Sequence, residues 1–473
     1  MKILGINLSP EPNFAVYEDG QIGEVLEATK FCSKKNVWGD EIALDKCWTY
    51  IKRYWGTDFD KVAFAKQTQS NSVAEIYFVL RDIGIKGDFV PVEHHTAHAC
   101  VAKHTCHFGN PMVLSMDGSP DVATVVNPGR PDQVIVDVDY GNMYNDVALE
   151  LGLERDGVDA AGKLMGWAAY GNYNSQYLVQ VERWIDGDRF VLPKVYDWAT
   201  TFQEEWIKSI IALVKEHYTE DNDGLCLVGG CALNGLLVRR LQEEGYTTYV
   251  PPCPGDSGLS LGAILYALSD SVHSETWDGI NPYLCPKLDY NSHKFTVYEE
   301  VTAEKVARLL AEGNIVGNVR GHSEIGPRAL GNRSIFADPR NENIKDILNE
   351  RVKNREPYRP FAPIVTEEDA HKYFDLKQPS PYMNIVCNVL DDGLKGITHV
   401  DGTARVQTVN KNQNSWVYSL LKEFEKLTGY PVLVNTSLNL RGQPTLNDDF
   451  LIMDMLKEKR LDALVISSFL VKE

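Results

Sequence analysis

The chain has 473 residues, 44% hydrophobic and 24% charged, with a formal net charge of −19. That length supports two or three domains with cores of their own. The negative balance argues against broad electrostatic adhesion to nucleic acid or to an anionic membrane, and the sequence has no apolar run long enough to predict a transmembrane helix.

The opening MKILGINLSPEPN lacks the apolar stretch and cleavage site of a signal peptide and reads as a first strand. Nine cysteines without a CxxC pair argue against a disulfide framework or a structural zinc site and fit a reducing cytoplasm. Residues 2–27 and 111–138 echo one another. Each shows an apolar strand, a polar turn containing Ser-Pro, a second strand, a Gly turn and a third strand. Two such meanders, each followed by helical sequence, predict a duplicated α/β domain of the type shared by acetate and sugar kinases, heat-shock ATPases and actin. Such a domain holds nucleotide or phosphate between its halves.

Between the meanders lies VEHHTAHAC, residues 92–100. On a helix, His94 and His98 share a face at i, i+4 spacing, and His95 points elsewhere. Two imidazoles so placed can grip a divalent ion, with a third ligand, usually a carboxylate, supplied from afar. A polar helix face with unrelated histidines is the competing reading. Asp117 ends the strand-like VLSMD, and Asp256 sits in PGDSGLS before a helix. Either could close a metal site, although Asp256 could equally be an N-cap and Asp117 part of a turn. Residues 205–218 have helical periodicity. The turn Gly229-Gly230-Cys231-Ala232-Leu233-Asn234 follows a strand, where backbone N–H groups can approach phosphate or ribose, or where helix and strand simply pack closely. Residues 278–295 lack periodicity and mark a boundary, giving domains at 1–285 and 286–473.

The second domain opens as helix, Gly stop and strand, then becomes rich in cations. Arg320, Arg328, Arg333 and Arg340 are followed by Lys353, Arg355 and Arg359, set among glycines and prolines. Guanidinium forks match phosphate oxygens in bidentate fashion, so a polyphosphate or carboxyphosphate site is expected here, with a salt-bridged structural loop as the competitor. Near the end, the apolar strand PVLV runs into the polar loop Asn435–Asn439.

The ordered blocks HHTAHA, GKLMGWAAYG, GGCALNG, PGDSGLSLGA, SEIGPRALGNRSIFADPR, VKNREPYRPFAP, DGTARVQTV and NTSLN span nearly the whole chain. Together they resemble the O-carbamoyltransferases, whose members modify antibiotics, nodulation factors and hydroxymethylated cytosine in phage DNA. The resemblance implies an α/β protein with an N-terminal actin-like duplicated domain, similar to the tRNA threonylcarbamoyl transferase, followed by a YrdC-like α/β domain. It implies that carbamoyl phosphate and ATP give carbamoyl adenylate in the second domain, and that an acceptor hydroxyl takes the carbamoyl group in the first. His94, His98 and Asp256 match the family's metal ligands, reported as iron, with Asp117 a second acidic position suited to orienting or deprotonating the hydroxyl. Gly229, Gly230 and Asn234 match its nucleotide loop. Lys353 and Arg355 match the KxR element of YrdC-type domains, and Ser437 and Asn439 their SxN element. Arg328, Arg333 and Arg359 match positions around the phosphates.

The implied cofactors are ATP, Fe(II) and Mg for the nucleotide. The implied partners are a hydroxylated small molecule or hydroxymethylated DNA, with no membrane and with a homodimer admitted. The first turn departs from the family: Ser9-Pro10-Glu11-Pro12-Asn13 stands where a His-Asp pair is common. A threonylcarbamoyl-type tRNA transferase and a non-catalytic nucleotide-binding protein are the alternatives.

Overall fold

The structure, a computed structural model, describes residues 1–471 except 9, 35–36, 38–39, 67–72, 119–122, 127–133, 137, 154–159, 178–193, 269–279 and 289–298. Ser9 and Ser119-Pro120 of the two Ser-Pro turns, the Gly turn of the second meander, and both ends of the 278–295 connector therefore lie outside the described residues.

The echo in the sequence is a duplicated sheet. In the first half, β1 (Lys2–Asn7), β2 (Asn13–Glu18) and β3 (Gln21–Glu27) form an antiparallel meander. β4 (Asp58–Lys66) then pairs parallel to β1, and β5 (Lys86–Glu93) parallel to β4, giving the order β3-β2-β1-β4-β5. In the second half, β6 (Pro111–Met116), β7 (Ala123–Val126) and β8 (Val134–Val136) repeat the meander. β9 (Gly224–Val228) and β10 (Thr248–Tyr249) repeat the parallel additions, giving β10-β9-β6-β7-β8. The leading strands β1 and β6 read as near-continuous apolar runs because each lies inside its sheet, covered on both faces.

The fifth strand of each half leads to a helix: His94–Thr105 after β5, and Leu259–Leu268 after β10 and the 3-10 turn Asp256–Gly258. The helix Leu259–Leu268 is apolar almost all round and is therefore buried, and the helix His94–Thr105 is buried along most of its length, histidines included. Ala97, Cys100 and Val101 share one core with Leu259, Leu261, Ile264 and Leu265. The two helices touch: a Cβ at Gly262 would lie 2.0 Å from the Ala97 carbonyl oxygen. The duplication thus sets two related helix starts side by side.

The remainder is a mixed nine-stranded sheet. Its strands are β12 (Glu299–Glu300), β13 (Val316–Val319), β15 (Arg333–Ala337), β16 (Ala362–Thr366), β17 (Ile385–Asn388), β18 (Thr403–Val409), β19 (Val432–Ser437), β20 (Ala463–Ile466) and β21 (Phe469–Val471). Their order is β12-β21-β20-β13-β15-β19-β16-β18-β17. Side chains alternate between faces. Ile335, Val365 and Val434 enter one core, while Phe336, Ile364 and Leu433 enter another beneath the helices Ala303–Ala311 and Ser415–Thr428. A two-stranded ribbon of β11 (Cys285–Lys287) and β14 (His322–Ser323) stands between the duplicated sheets and this sheet. The residue pair 285/286, where a boundary is expected, lies inside β11. All nine thiols are free. Among the described residues no helix is long and apolar enough to cross a membrane.

Candidate active sites: a four-donor centre and an arginine cluster

His94 opens its helix directly after β5, so its side chain and that of His98 one turn later project from the helix start. This is not a wet face: His94 is 2% exposed and His98 1%. The related helix start brings Asp256, and the end of β6 brings Asp117. His98 Nε2 lies 3.1 Å from Asp117 Oδ2 and 3.3 Å from Asp256 Oδ1, and His94 Nε2 lies 3.4 Å from the same Asp256 oxygen. The two Nε2 atoms are 3.2 Å apart. One ligand atom from each of the four residues lies within 4.8 Å of all the others.

The two aspartates are held from behind. Asp117 Oδ1 accepts the Gly118 N–H at 2.7 Å, and Oδ2 accepts the Gly230 N–H at 3.0 Å. Asn13 donates to the Asp256 carbonyl at 2.8 Å, and Asn7 donates to it at 3.4 Å. His95, left aside by the helical spacing, points to the other sheet, its Nδ1 2.7 Å from Ser115 Oγ.

The electrostatics are polarised. Burial and then the neighbouring His98 push the His94 imidazole down to about 3. Burial also works against charge on His98, but hydrogen bonds and charge from Asp117 and Asp256 outweigh it and raise that imidazole to about 9. Burial and the Asp117 charge raise Asp256 to about 7. Asp117 itself is held well below the usual carboxylate range, because His98 and then His94 outweigh its burial. Two imidazole nitrogens and two carboxylates converging in a buried space fit a divalent first-row transition metal, for which this mixed N/O set is suited. Asp256 Oδ1 faces both Nε2 atoms, at 3.3 and 3.4 Å, so the donor atoms of the cluster point at one another where an ion would sit between them.

The glycine turn is placed beside this centre, but its amides are already used. The Gly229 N–H donates to the Pro254 carbonyl at 2.7 Å, and the Gly230 N–H to Asp117. Asn234 caps the helix Gly235–Glu243, accepting from the Leu237 N–H at 3.2 Å, and donates to Gln203. In this structure the three residues expected at a nucleotide buttress the four-donor centre and start a helix.

The second cluster forms where the loop after β19 meets the turn Leu348–Lys353. Lys353 Nζ donates to Asn439 Oδ1 at 2.7 Å, to the Asn439 carbonyl at 3.2 Å and to the Ser437 carbonyl, and Ser437 Oγ donates to Asn439 Oδ1 at 2.7 Å. Burial, then Arg355 and Arg359, push the Lys353 ammonium well below its ordinary range. Arg355 donates from Nε to Asn349 Oδ1 at 2.8 Å and lies 4.6 Å over the Phe361 ring. Arg328, Arg355 and Arg359 all bear on a residue whose role the sequence did not disclose, Arg405 on β18. Burial and then those three charges drive its guanidinium well below the usual range. Its enclosed Nε has no hydrogen-bond partner among the described residues.

Arg333 requires a correction. It is fully buried, and its donors are spent on protein: Nε and one Nη2 N–H on Asn447, Nη1 on the Arg320 and Asn332 carbonyls, Nη2 also on the Gly321 carbonyl. A guanidinium has five N–H groups, so none remains for phosphate. Arg320 stacks 4.0 Å from the Trp416 ring centre, and Arg340 pairs with Asp338. Part of the sequence's cation-rich stretch is therefore scaffold.

Sequence reasoning also passed over Glu11. It stands in the β1–β2 turn, the counterpart of the β6–β7 turn that begins with Asp117, and its carbonyl accepts from Asn7 and Asn13, which also hold Asp256. Burial, then Asp256, Glu27 and Asp117, raise its carboxyl to about 7. The signal was present as an acidic residue between two prolines in a short turn. Arg405 likewise could have been flagged as a lone cation in the strand TARVQTV.

The duplicated α/β domain thus carries a buried cluster of N/O donors, and the sheet that follows carries a cluster of cations. Residues 307–473 match the family described as Carbamoyltransferase C-terminus. The nodulation protein NolNO of Sinorhizobium fredii is 33% identical over 436 residues, covering 81% of this chain and 64% of that protein. NolO of Bradyrhizobium diazoefficiens is 31% identical over 435 residues, covering 81% of this chain and 79% of that protein. Among solved structures, an activator of 2-hydroxyisocaproyl-CoA dehydratase from Clostridium difficile with bound ADPNP aligns at a TM-score of 0.38 and 17% identity, over 57% of this chain and 95% of its own. HypF of T. kodakarensis aligns at 0.39 and 12%, over 59% and 49%. The chain belongs to the O-carbamoyltransferase family.

Proposed function

We propose that the chain carries out ATP-dependent O-carbamoyl transfer in two separated half-reactions, divided between residues 1–285 and 286–473. The observation that carries this reading is the segregation of two unlike clusters: four converging N/O donors in the duplicated domain, and Lys353, Arg355, Arg359, Arg328 and Arg405 in the second. In the second, YrdC-like domain, carbamoyl phosphate and ATP, with its Mg, meet the cations. The guanidinium groups lower the Coulomb cost of bringing two polyanions together and stabilise charge developing on phosphate. Water cleaves carbamoyl phosphate to carbamate and phosphate, and the carbamate oxygen then attacks the α-phosphorus of ATP, displacing pyrophosphate and giving carbamoyl adenylate.

In the first domain His94, His98, Asp117 and Asp256 would hold a divalent ion, Fe(II) by family resemblance. Such an ion, when bound, supplies Lewis acidity toward the carbamoyl carbonyl. Asp117, with both carboxylate oxygens already hydrogen-bonded and facing His98, fits better as a ligand and orienting group than as the base. Glu11, across the same centre, is the carboxylate better placed by its raised proton affinity to receive the acceptor's proton as the hydroxyl attacks.

The acceptor is a hydroxylated small molecule or a hydroxymethylated base in DNA; the charge of −19 favours the former. The family match favours carbamoyl transfer over a threonylcarbamoyl or non-catalytic role. The test measures AMP formation and acceptor modification separately. His94→Ala is expected to abolish transfer and spare carbamoyl-phosphate-dependent AMP formation. Arg355→Ala is expected to do the reverse, with transfer rescued by supplied carbamoyl adenylate. Loss of both activities in a folded His94→Ala variant would overturn the division.

A further inference from the structure

The loop Ser323–Arg333 carries Arg328 and runs between the two domains. Its downstream side is held within the second domain. Glu324 Oε1 accepts the N–H groups of Leu330, Asn332 and Arg333 at 2.7, 2.8 and 3.1 Å. The Ala329 carbonyl accepts from Asn435 and the Leu330 carbonyl from Gln407, both at 3.0 Å.

The upstream side is held by the first domain, through a pair that the family motifs do not include. Glu27 ends β3 and Lys30 lies on the short helix Ala28–Phe31; they are 5% and 6% exposed. Lys30 Nζ is 3.0 Å from Glu27. It also donates to the Glu324 carbonyl at 2.7 Å and to the Gly326 carbonyl, while Glu27 Oε1 accepts the Gly326 N–H at 2.6 Å. A paired charge is placed in the interior only when its remaining hydrogen bonds are satisfied, and here they are satisfied by the backbone of this loop together with the Cys285 thiol, 3.7 Å from Glu27 Oε1. Gly326 sits at φ +77, and a Cβ there would meet the Pro252 carbonyl oxygen at 2.0 Å. Gly326 therefore has one seat, and Arg328 is two residues beyond it.

We infer that the buried Glu27–Lys30 pair of the duplicated domain is a positioning pair for Arg328 and sets the geometry of the anion cluster in the second domain. The inference rests on the reading of that cluster as the carbamoyl-phosphate and ATP site. Without the pair, the upstream half of the loop keeps the β11 pairing at Ser323, the Ile325 N–H to Pro282 carbonyl bond at 2.7 Å, and the packing of Gly326. The Asp256 loop is tied by Asn7 and Asn13 instead, so the four-donor centre does not depend on the pair.

The experiment uses the full chain with the charge-neutral double variant Glu27→Gln/Lys30→Met, and with Lys30→Gln, which retains a donor for the two carbonyls. It reads the KM for carbamoyl phosphate in AMP formation, the Kd for pyrophosphate, and cobalt(II) binding at the four-donor centre by its visible absorption. A displacement of a positioned group by about 1 Å can cost on the order of a hundredfold. The expected result is a rise of about tenfold or more in KM and Kd for the double variant, a smaller rise for Lys30→Gln, and unchanged cobalt binding. Unchanged KM and Kd in either folded variant would overturn the inference, and so would parallel loss of cobalt and pyrophosphate binding, which signals general loosening. Arg328→Ala separates the two levels. If it binds pyrophosphate as the wild type does, the anion-site reading itself is wrong. If Arg328→Ala weakens binding and the pair variants do not, only the positioning role is lost.

Discussion

At the four-donor centre, two carboxylates face two imidazoles, and the charges hold each other in place: His98 is driven up, Asp117 down. In the second domain Arg328, Arg355 and Arg359 crowd on Arg405, whose guanidinium is driven down by burial and then by those three charges, and burial, then Arg355 and Arg359, push the Lys353 ammonium down. The first arrangement is complementary within the protein and gains from one small cation. The second sets like charges side by side, which a bound anion would offset. Clustered like charges destabilise a ligand-free fold, so they indicate a polyanion more strongly than a count of arginines does. A count would have included Arg333, whose hydrogen bonds are complete.

That contrast can be broken by exchanging the two kinds of arginine. Arg333→Lys keeps the charge but cannot reproduce the fork to Asn447 and three carbonyls. Leaving several buried groups unpaired should cost about 3 kcal/mol, seen as a lower urea midpoint, with the KM for carbamoyl phosphate unchanged in the folded protein. A raised KM with normal stability would return Arg333 to the phosphate site. Arg405→Gln should do the opposite. Relieving the repulsion raises the melting temperature of the ligand-free protein, and losing an anion contact raises the KM for carbamoyl phosphate about tenfold, or ~1.4 kcal/mol. A drop in melting temperature would mean that Arg405 is structural as well.

How far the sequence discloses these sites follows from what kind of constraint each residue obeys. The i, i+4 spacing of His94 and His98 is local, and the meander repeat is a pattern, so the pair and the duplication were legible. Asp256 was legible only through its motif, since nothing local links it to a helix some 160 residues away; the link is the quasi-symmetry of two helix starts. Whether an arginine's donors are spent is not written locally either. Arg328 and Arg333 sit in the same loop and look alike, and it is the position of Asn447 and of three carbonyls that completes the hydrogen bonding of Arg333. Gly229, Gly230 and Asn234 show the same limit: their turn chemistry was plain, but the partners of their N–H and side-chain groups came from Pro254, Asp117 and the following helix.

The smallest expected effect concerns Glu11, and it sharpens the contrast from the acidic side of the four-donor centre. Its carboxyl, ordinarily at 4.5, is raised to about 7 by burial and by Asp256, Glu27 and Asp117. A raised carboxyl favours the folded state while it is protonated in that state. The contribution is complete below the unfolded value near 4.5 and is lost as pH climbs toward 7. Glu11→Gln removes this dependence. In chelator-treated protein, the melting temperature of the variant relative to wild type should therefore rise between pH 5 and pH 8, and change little above that. A flat difference across this range would show that Glu11 does not feel the carboxylates of the centre. A divalent ion bound at the centre offsets those carboxylate charges, so adding cobalt(II) should shrink the same difference. That would tie the proton affinity of Glu11 to occupancy of the four-donor site, whereas a cobalt-independent difference would place Glu11 outside it.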